Sequence, residues 1–366
     1  MIPFLIIALL VLPVLVVIVF LRQPQFGKYA SGERLQRIES SAHYKNGQFQ
    51  NLSHTPALTE GVSYFAVLTE FFFRKSKRGK PAMTLPSKAI DLSTLNQHKD
   101  VLVWFGHSSY FMQIDGKRFL VDPVLSGSAS PVKFTTRSFT GSDVYTTDAL
   151  PEIDYLFITH DHWDHLDYDT ITQLKPKIGK IMTGLGVGEH LERWGFRKED
   201  IIEKDWNEKI LLPDGFVVHT APARHFSGRG FKRNRSLWMS FILETPTMKL
   251  YLGGDSGYDT HFNEIGEKFG PFDLAILENG QYGKNWKYIH MTPEEVIQAA
   301  KDLKATVLLP VHWSKFSLSV HAWDEPIIRV MSEAKRQNQP LLHPMIGELV
   351  DLKQIAPSTR WWEEVE

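Results

Sequence analysis

Ten consecutive residues, ITHDHWDHLD at positions 158–167, contain three histidines and three aspartates. Imidazole and carboxylate groups bind divalent metal ions and transfer protons near neutral pH. His160 and His162 are two residues apart, so in an extended turn their side chains lie on the same side of the chain. Asp164 and His165 follow where a helix is expected to begin, so they can face a second centre nearby. The spacing therefore predicts a metal site with room for more than one ion.

Three further candidate ligands come at or soon after the ends of other predicted strands. His225 follows FVVHTAPAR, Asp255 follows KLYLGG, and His312 follows TVLLPV. Strand ends at one edge of a sheet converge in space, and loops there carry chemistry on a rigid base. A lone histidine after a strand would be interpreted as structural, but four such strand ends indicate a shared site. Seven ligands are too many for one tetrahedral ion and suit two ions that share one carboxylate.

Regular elements capable of positioning these ligands begin near residue 100. Ten short apolar stretches predict strands, from VLVWF to TVLLPV. Asp167 is a plausible helix N-cap, and TPEEVIQAAKDL (292–303) predicts a helix with a capping box formed by Thr292 and Glu295. We therefore predict one α/β domain with strands in two sheets and helices outside them.

The composition of the chain excludes several kinds of ligand, nucleophile and partner. The chain has 366 residues, a formal net charge of −1 and no cysteine. The lack of cysteine excludes disulfides and thiolate nucleophiles, so any metal must be held by His, Asp or Glu. The near-zero charge provides no overall field to attract nucleic acid, and we expect no nucleic-acid partner.

The first 21 residues carry no charge. A helix of about 20 residues spans roughly 30 Å, the thickness of the hydrocarbon core of a bilayer. We predict a membrane anchor over residues 1–21, with a cleaved signal peptide as the alternative. Basic residues follow the apolar stretch and none precedes it, which favours a cell-membrane protein with its catalytic domain in the cytoplasm. FFFRKSKRGK (71–80) is either a solvated helix end or a second contact with an anionic membrane.

The remaining domain boundaries follow from the positions where the regular strands begin and end. We predict an N-terminal arm over residues 22–99 that wraps the core, a catalytic domain over residues 100–355, and a C-terminal tail over residues 356–366.

The motif H-x-H-x-D-H, followed by a His, an Asp and a further His after successive strands, resembles the metallo-β-lactamase superfamily over roughly residues 100–320. Within it, the chain is most similar to the N-acyl-phosphatidylethanolamine phospholipase D family and its bacterial relatives. The resemblance implies a four-layer αβ/βα sandwich with the metal ions at one edge. The stretches that carry it are WFGHSS (104–109), FLVDPVLS (119–126), THDHWDHLD (159–167), APARHFSGR (221–229), GGDSGY (253–258), KYIHMTPEE (287–295) and VHWSKF (311–316).

The resemblance also implies roles for single residues. Two divalent ions, expected to be Zn²⁺, would be bound. One ion would be held by His160, His162 and His225, and the other by Asp164, His165 and His312. The carboxylate of Asp255 would bridge the two ions. Asp122 and His107 would fix ligand imidazoles by hydrogen bonds, although structural packing is an equal interpretation for His107. His290 matches a family histidine near the substrate. Ile289 stands where the animal enzyme carries a glutamine, which weakens any transfer of detailed substrate preference.

These residues suggest a mechanism. Two ions about 3.5–4 Å apart lower the pKa of a bridging water and neutralise charge on a phosphoryl oxygen. With the resemblance, this favours hydrolysis of a phosphodiester in a membrane phospholipid, N-acyl-phosphatidylethanolamine or a related glycerophospholipid, by a metal-bridging hydroxide. Asp164, Asp255 and His290 are the candidate catalytic residues; Asp255 would orient the hydroxide and His290 would steady the phosphate.

Three alternatives stay open. A lactonase or a soluble phosphodiesterase would use the same metal site, and a membrane scaffold would keep the fold without activity. The GGDSG stretch is similar to the nucleophile loop of serine proteases, but the bridging position of Asp255 is the better interpretation than a nucleophilic Ser256.

Overall fold

The N-terminal part of the chain consists of short elements joined by turns. The structure, a computed structural model, describes residues 2–73 and 76–365, with the side chains of residues 2–10 and of residue 72 outside the description. Residues 74 and 75 of the predicted basic stretch therefore lie outside the described residues. The elements are α1 (Ile2–Leu21), α2 (Gly32–Glu39), the hairpin strands β1 (Tyr44–Lys45) and β2 (Gln48–Phe49), and α3 (Tyr64–Phe73).

Helix α1 covers the predicted membrane anchor, and its side chains are described from Val11 onward. In the part of the chain that the structure describes, no helix is both long and apolar enough to span a bilayer. The anchor predicted over residues 1–21 stays a prediction.

Seven strands form the first large sheet. They are β3 (Val101–Trp104), β4 (Tyr110–Ile114), β5 (Lys117–Val121), β6 (Ile153–Ile158), β7 (Ile178–Gly184), β8 (Ile201–Lys204) and β15 (Leu349–Asp351). Their spatial order is β15-β3-β4-β5-β6-β7-β8. The pairs from β5 to β8 are parallel, so the carboxyl ends of these strands lie at the same edge.

Six strands form the second sheet. They are β9 (Lys209–Leu211), β10 (Val217–Ala221), β11 (Ser240–Glu244), β12 (Lys249–Leu252), β13 (Phe272–Glu278) and β14 (Ala305–Val311). Their spatial order is β14-β13-β12-β11-β10-β9, and β12, β13 and β14 run parallel. All ten strands predicted from the sequence are present, with some ends shifted.

The two sheets pack face to face through large apolar side chains. The ring centroids of Phe157 and Phe241 lie 5.0 Å apart, and those of Phe119 and Phe216 lie 5.8 Å apart. Phe157 lies on β6 and Phe241 on β11, so their contact joins the two sheets. Phe119 lies on β5, and Phe216 directly precedes β10 of the second sheet. Fully burying such a side chain contributes roughly 1.5–3 kcal/mol, so this interface is the main apolar core.

Helices cover the outer faces of both sheets. They are α4 (Tyr168–Leu174) and α5 (Gly188–Arg193) beside the first sheet, and α6 (His261–Phe269), α7 (Pro293–Asp302) and α8 (Glu325–Gln337) beside the second. The predicted caps are present: the Asp167 side chain accepts from Asp169 N, and Thr292 and Glu295 form a capping box. The result is the predicted four-layer α/β sandwich.

Candidate metal centre

The seven predicted ligands converge at the edge where parallel strands of both sheets end. His160 and His165 belong to the loop between β6 and α4, His225 follows β10, Asp255 follows β12, and His312 directly follows β14. His312 is therefore brought beside the motif at 158–167, although about 150 residues separate them in the sequence.

The first group of donors consists of three imidazoles and one carboxylate. His162 Nδ1 lies 2.9 Å from His160 Nε2 and 3.2 Å from His225 Nε2. Asp255 Oδ2 lies 3.8 Å from His160 Nε2 and 3.6 Å from His225 Nε2. All four donor atoms lie within 4.8 Å of one another, so they surround one point.

The second group faces the other oxygen of the same aspartate. Asp255 Oδ1 lies 3.2 Å from His165 Nε2 and 3.2 Å from His312 Nδ1. Asp164 Oδ2 lies 3.7 Å from His165 Nε2. Asp255 thus presents one carboxylate oxygen to each group, which is the geometry of a bridging ligand.

The donor set fits divalent metal ions. His165 Nε2 and Asp255 Oδ1 are buried and have no hydrogen-bond partner among the described residues, although they lie 3.2 Å apart. Buried polar atoms are normally paired, so an unpaired donor and acceptor in one cluster require another partner. Neutral imidazoles and carboxylates are the ligands that zinc, manganese and iron accept.

Charge within the cluster also favours a bound cation. Burial lowers the pKa of His160, His225 and His312 well below the ordinary value, so these imidazoles are neutral near pH 7. Burial would lower the pKa of His165, but the carboxylates of Asp255, Asp164 and Asp122 outweigh it and hold this pKa well above its ordinary value. Burial would raise the pKa of Asp255, but the charged His165 outweighs it and holds this pKa well below its usual range. The centre therefore combines three neutral nitrogen donors with an ionised bridging oxygen, and a bound cation would take the place of the proton on His165.

Buried hydrogen bonds orient three of the ligands. Asp122 Oδ2 lies 2.7 Å from His165 Nδ1, which leaves Nε2 for the centre. The carbonyl of Ile289 lies 2.9 Å from His225 Nδ1 and fixes that ring in the same way. His107 Nε2 lies 2.9 Å from Asp164 Oδ2. The sequence predicts that His107 fixes a ligand imidazole by a hydrogen bond, but its hydrogen bond goes to a ligand carboxylate.

Strained backbone at three strand ends helps to aim these side chains. His107, Asp122 and His312 have φ values of 52°, 40° and 68°. Residues other than glycine adopt this left-handed region at a cost of order 1–3 kcal/mol, and such residues cluster at functional sites. Reciprocal backbone hydrogen bonds of 2.9 Å, His107 N to Trp313 O and His312 N to His107 O, hold two of these loops together.

His290, which the sequence predicts to contact the substrate phosphate, lies beside the centre. Its ring centroid is 5.1 Å from that of His225 and 5.3 Å from that of His312. Asp255, His290 and His312 form a third cluster of donor atoms within 4.8 Å of one another. The sequence prediction missed Glu278, whose carboxylate Oε2 lies 3.4 Å from His290 Nδ1.

The prediction also missed a contact from the N-terminal part of the chain. Asn51 Nδ2 donates to His225 O at 2.7 Å, and His225 N donates to Asn51 Oδ1 at 3.0 Å. This pair of hydrogen bonds clamps the backbone of a candidate ligand. No local signal around Asn51 indicates the contact, since its partner lies 174 residues away.

Some aromatic residues near the metal centre belong to the apolar core, and others lie at the rim of the centre. Trp313 is buried and stacks on Trp104 with centroids 5.4 Å apart, so it belongs to the core. Phe226 packs 4.4 Å from His162, and Trp163 packs 5.2 Å from Phe26. Both rings belong to residues next to predicted ligands in the sequence, since Phe226 follows His225 and Trp163 follows His162.

Comparison with known families agrees with the fold. A family model described as a beta-lactamase superfamily domain matches residues 117–313. The chain therefore belongs to the beta-lactamase superfamily. A solved metallo hydrolase from the archaeon Ignicoccus hospitalis KIN4/I, Igni18, shares the fold with a TM-score of 0.53 and 21% identity, over 69% of this chain and 97% of that one.

Two curated relatives are more informative about chemistry. The N-acyl-phosphatidylethanolamine-hydrolyzing phospholipase D 1 of Caenorhabditis elegans is 30% identical over 291 residues, which cover 74% of this chain and 80% of the relative. The outer membrane protein RomA of Klebsiella pneumoniae is 62% identical over 103 residues, which cover 28% of this chain and 78% of the relative. The chain is thus a homologue of phospholipases of the D type within its superfamily.

Proposed function

We propose that the chain is a zinc-dependent hydrolase of phosphodiesters, of the phospholipase D type. The observation that carries the proposal is the pair of donor groups joined through the two oxygens of Asp255. Two metal ions bound there would acidify a bound water and neutralise negative charge on a phosphoryl oxygen. Hydrolysis of a phosphodiester would use both effects at once.

Different residues would bind the metal ions, position the ligands and contact the substrate. His160, His162 and His225 would hold one ion, while Asp164, His165 and His312 would hold the other. Asp255 contributes Oδ2 to the first group and Oδ1 to the second. Asp122 and His107 keep His165 and Asp164 in position through their hydrogen bonds. His290, with 11% of its side chain exposed, would contact a substrate phosphate.

We propose a glycerophospholipid as the substrate, with N-acyl-phosphatidylethanolamine as the leading candidate. The C. elegans relative acts on this lipid, as its name states. Hydrolysis would release phosphatidic acid and an N-acylethanolamine. A lipid substrate also requires that the rim of the centre can approach a membrane.

Exposed aromatic side chains with basic neighbours support a membrane partner. Phe231 is 85% exposed and is followed by Lys232, and Phe134 is 74% exposed and is preceded by Lys133. Aromatic rings enter the interfacial region of a bilayer, and lysines attract anionic headgroups.

These two segments lie near Trp163 of the metal motif. Arg229, two residues before Phe231, has its guanidinium 3.9 Å from the Trp163 ring centroid and donates from Nε to Gln25 O at 2.9 Å. Gln25, Lys133 and Trp163 line one surface pocket. Both aromatic segments therefore border the end of α1 and the rim of the centre.

We propose that α1 attaches the chain to the cell membrane, with the catalytic domain in the cytoplasm. Its side chains from Val11 to Val19 are between 40% and 64% exposed, which is unfavourable in water. Basic residues follow α1, as the positive-inside rule requires for this orientation. A protease-protection assay that finds the C-terminus outside the cytoplasm would contradict it.

We also propose the predicted division of the chain, with an arm over 22–99, a catalytic domain over 100–355 and a tail over 356–366. The Asn51 clamp on His225 supports the view that the arm completes the catalytic domain. Trp361 and Trp362 are buried and pack on Trp313 with centroids 5.4 and 5.8 Å apart, so the tail is docked on the core.

The test begins with metal analysis of the purified full-length chain, where about two ions per chain are expected. A panel of phospholipids in mixed vesicles is then incubated with the protein and the products are read by mass spectrometry. Release of phosphatidic acid and an N-acylethanolamine supports the proposal. Hydrolysis of lactones with intact phospholipids would support the alternative hydrolase, and a chain without metal or turnover would support a scaffold.

A variant of a ligand tests whether the activity depends on the metal centre. His160→Ala should remove metal and turnover together, because it deletes a donor of the first group. His98→Ala is a matched control, since His98 is an exposed loop residue. Full turnover and metal content in His160→Ala would contradict the proposed site.

A further inference from the structure

Arg229 is a buried cation beside the metal motif that no step of the proposed reaction uses. Only 3% of the residue is exposed. Burial lowers the pKa of Arg229 to about 10, so its guanidinium is charged near neutral pH. A buried charge is costly unless it is paired and hydrogen-bonded. The contacts of this guanidinium therefore have to compensate for its burial.

The hydrogen bonds of Arg229 go to three backbone carbonyls. Nη1 donates to Asp161 O at 2.8 Å and to Leu166 O at 2.7 Å. Nε donates to Gln25 O at 2.9 Å. The guanidinium carbon also lies 3.9 Å from the centroid of the Trp163 ring, which is a cation–π contact. Carbonyl oxygens and an aromatic face therefore compensate for the burial of the charge.

The two carbonyls bound by Nη1 stand at the two ends of the loop that carries most of the metal motif. Between Asp161 and Leu166 lie three candidate ligands, His162, Asp164 and His165. The loop connects β6 to α4. Within it, the amides of His165 and Leu166 both donate to His162 O, at 3.1 and 2.8 Å. Because one guanidinium nitrogen bonds both ends of the loop, it fixes the distance between them.

The segment that contains Arg229 also follows a ligand of the first metal group. His225 precedes Arg229 by four residues, and Gly228 N donates to Asp161 Oδ1 at 2.6 Å. The backbone and the arginine side chain of this segment therefore both bond Asp161, the residue directly after His160. These contacts join the two loops that supply all three imidazoles of the first group.

We propose that Arg229 is a positioning residue of the metal centre, whose guanidinium holds residues 161–166 in the conformation that presents their ligands to both groups of donors. The proposal rests on the metal-dependent function proposed above and assigns a determinant of metal binding outside the seven ligands. A contact that served only the stability of the fold would lower the free energy of unfolding and leave the affinity for zinc unchanged. Zinc affinity and the local opening of the loop therefore distinguish the two roles.

The substitution Arg229→Met removes the donors and keeps a flexible side chain in the buried position. Hydrogen exchange is measured by mass spectrometry on the metal-free full-length protein, which is then titrated with Zn²⁺. We expect the amides of His165 and Leu166 to exchange about tenfold faster, because their loop loses the bonds at both ends. We expect the affinity for zinc to fall by about 10- to 100-fold. Either unchanged exchange at these amides or a zinc affinity within about threefold of wild type would overturn the proposal.

Arg229→Lys keeps the test decisive if Arg229→Met does not fold. Lysine keeps the positive charge, but its donors lie on one nitrogen at the end of a shorter chain, whereas arginine uses two nitrogens for the three carbonyls. We expect the same two changes at a smaller size, with zinc affinity reduced by about 3- to 10-fold. A lysine variant that exchanges and binds zinc like wild type would overturn the proposal as well.

Lys177→Met is the matched control, because Lys177 Nζ also donates to three backbone carbonyls. They belong to Thr147 and Asp148, both at 3.0 Å, and to Leu150 at 2.7 Å. Lys177 directly precedes β7, at the opposite edge of the first sheet from the metal centre, so zinc affinity should stay within about twofold. An equal loss of affinity in this variant would contradict a specific role of Arg229. If the wild-type chain binds zinc but hydrolyses no phosphodiester, the proposed function fails, while exchange and zinc affinity still decide the role of Arg229.

Discussion

Asp122 Oδ2 lies 2.7 Å from His165 Nδ1, and the same carboxylate accepts hydrogen bonds from Thr159 N at 2.9 Å and from Thr159 Oγ1 at 2.6 Å. One buried aspartate at the end of β5 therefore fixes both the first residue of the motif loop and a ligand six residues further along it. Its φ of 40° belongs to the same arrangement, because the strained backbone turns the side chain toward the next strand.

Asp122→Asn should weaken the second metal group selectively. Asparagine can keep the bonds to Thr159, but its amide cannot accept equally from all three donors, so His165 loses its fixed tautomer. We expect metal affinity or activity to fall by about 10- to 100-fold. Titration of the metal-free protein with Zn²⁺ measures the affinity. Asp115→Asn is the control, since Asp115 also has a positive φ of 49° and lies on the β4–β5 turn; an equal loss in both variants would contradict the selective effect.

Ser256→Ala should retain most of the activity. Ser256 Oγ accepts from Arg224 N at 2.9 Å and lies 3.3 Å from His261 Nε2, so a serine and a histidine are adjacent. Both are buried, however, and the proposed reaction uses no protein nucleophile. We expect kcat within about tenfold of wild type and a loss of about 1 kcal/mol in the free energy of unfolding. Complete loss of turnover with metal content preserved would restore the serine nucleophile.

Much of the site could be predicted because most candidate ligands come at or soon after the ends of strands. Ligands such as His160 and His312 directly follow long apolar strands, so local sequence places them at one edge. Glu278 ends such a strand as well, but a glutamate after an apolar run is equally typical of an exposed strand end. The sequence does not distinguish the two, because burial depends on the neighbouring strand β14.

Other features depend on pairing between distant segments. The contact of Asn51 with His225 joins residues 174 positions apart, and nothing near Asn51 signals it. Five strands escaped prediction, because segments of two to four residues are too short to show an alternation of apolar and polar residues: β1, β2, β8, β9 and β15. The main sheets were predicted because their strands are long and apolar on both faces.

Phe134→Ser combined with Phe231→Ser should reduce activity on vesicles more than activity on a soluble phosphodiester. Both rings are exposed near the rim, so each would enter the membrane interface. We expect a fall of about five- to tenfold in turnover of vesicle lipid and no change with a soluble chromogenic ester. Leu211→Ser is the control, because Leu211 is 74% exposed on the edge strand β9. Equal losses on both substrates would indicate damage to the centre instead.

Arg34→Leu should detach the N-terminal part of the chain from the core. Its guanidinium lies 2.7 Å from Glu189, 2.6 Å from Glu192 and 2.6 Å from Glu203, and only 11% of the side chain is exposed. Removing it leaves these carboxylates without their shared cation. We expect the free energy of unfolding to fall by about 2–4 kcal/mol, measured by urea denaturation. Arg197→Leu, at a side chain 70% exposed, should cost less than about 1 kcal/mol.

The loss in Arg34→Leu should also depend on pH. Burial would raise the pKa of Glu189, but hydrogen bonds from Lys28 and Arg34 outweigh it, so this pKa lies below the ordinary value of 4.5. A depressed carboxyl pKa contributes stability above the unfolded-state pKa, and the contribution disappears as pH falls through the folded-state pKa. The difference in unfolding free energy between wild type and Arg34→Leu should therefore be full at about pH 7 and shrink below about pH 4.5. A difference that stays constant into acid would mean that the arginine stabilises the fold through the packing of its aliphatic stem and not through its charge.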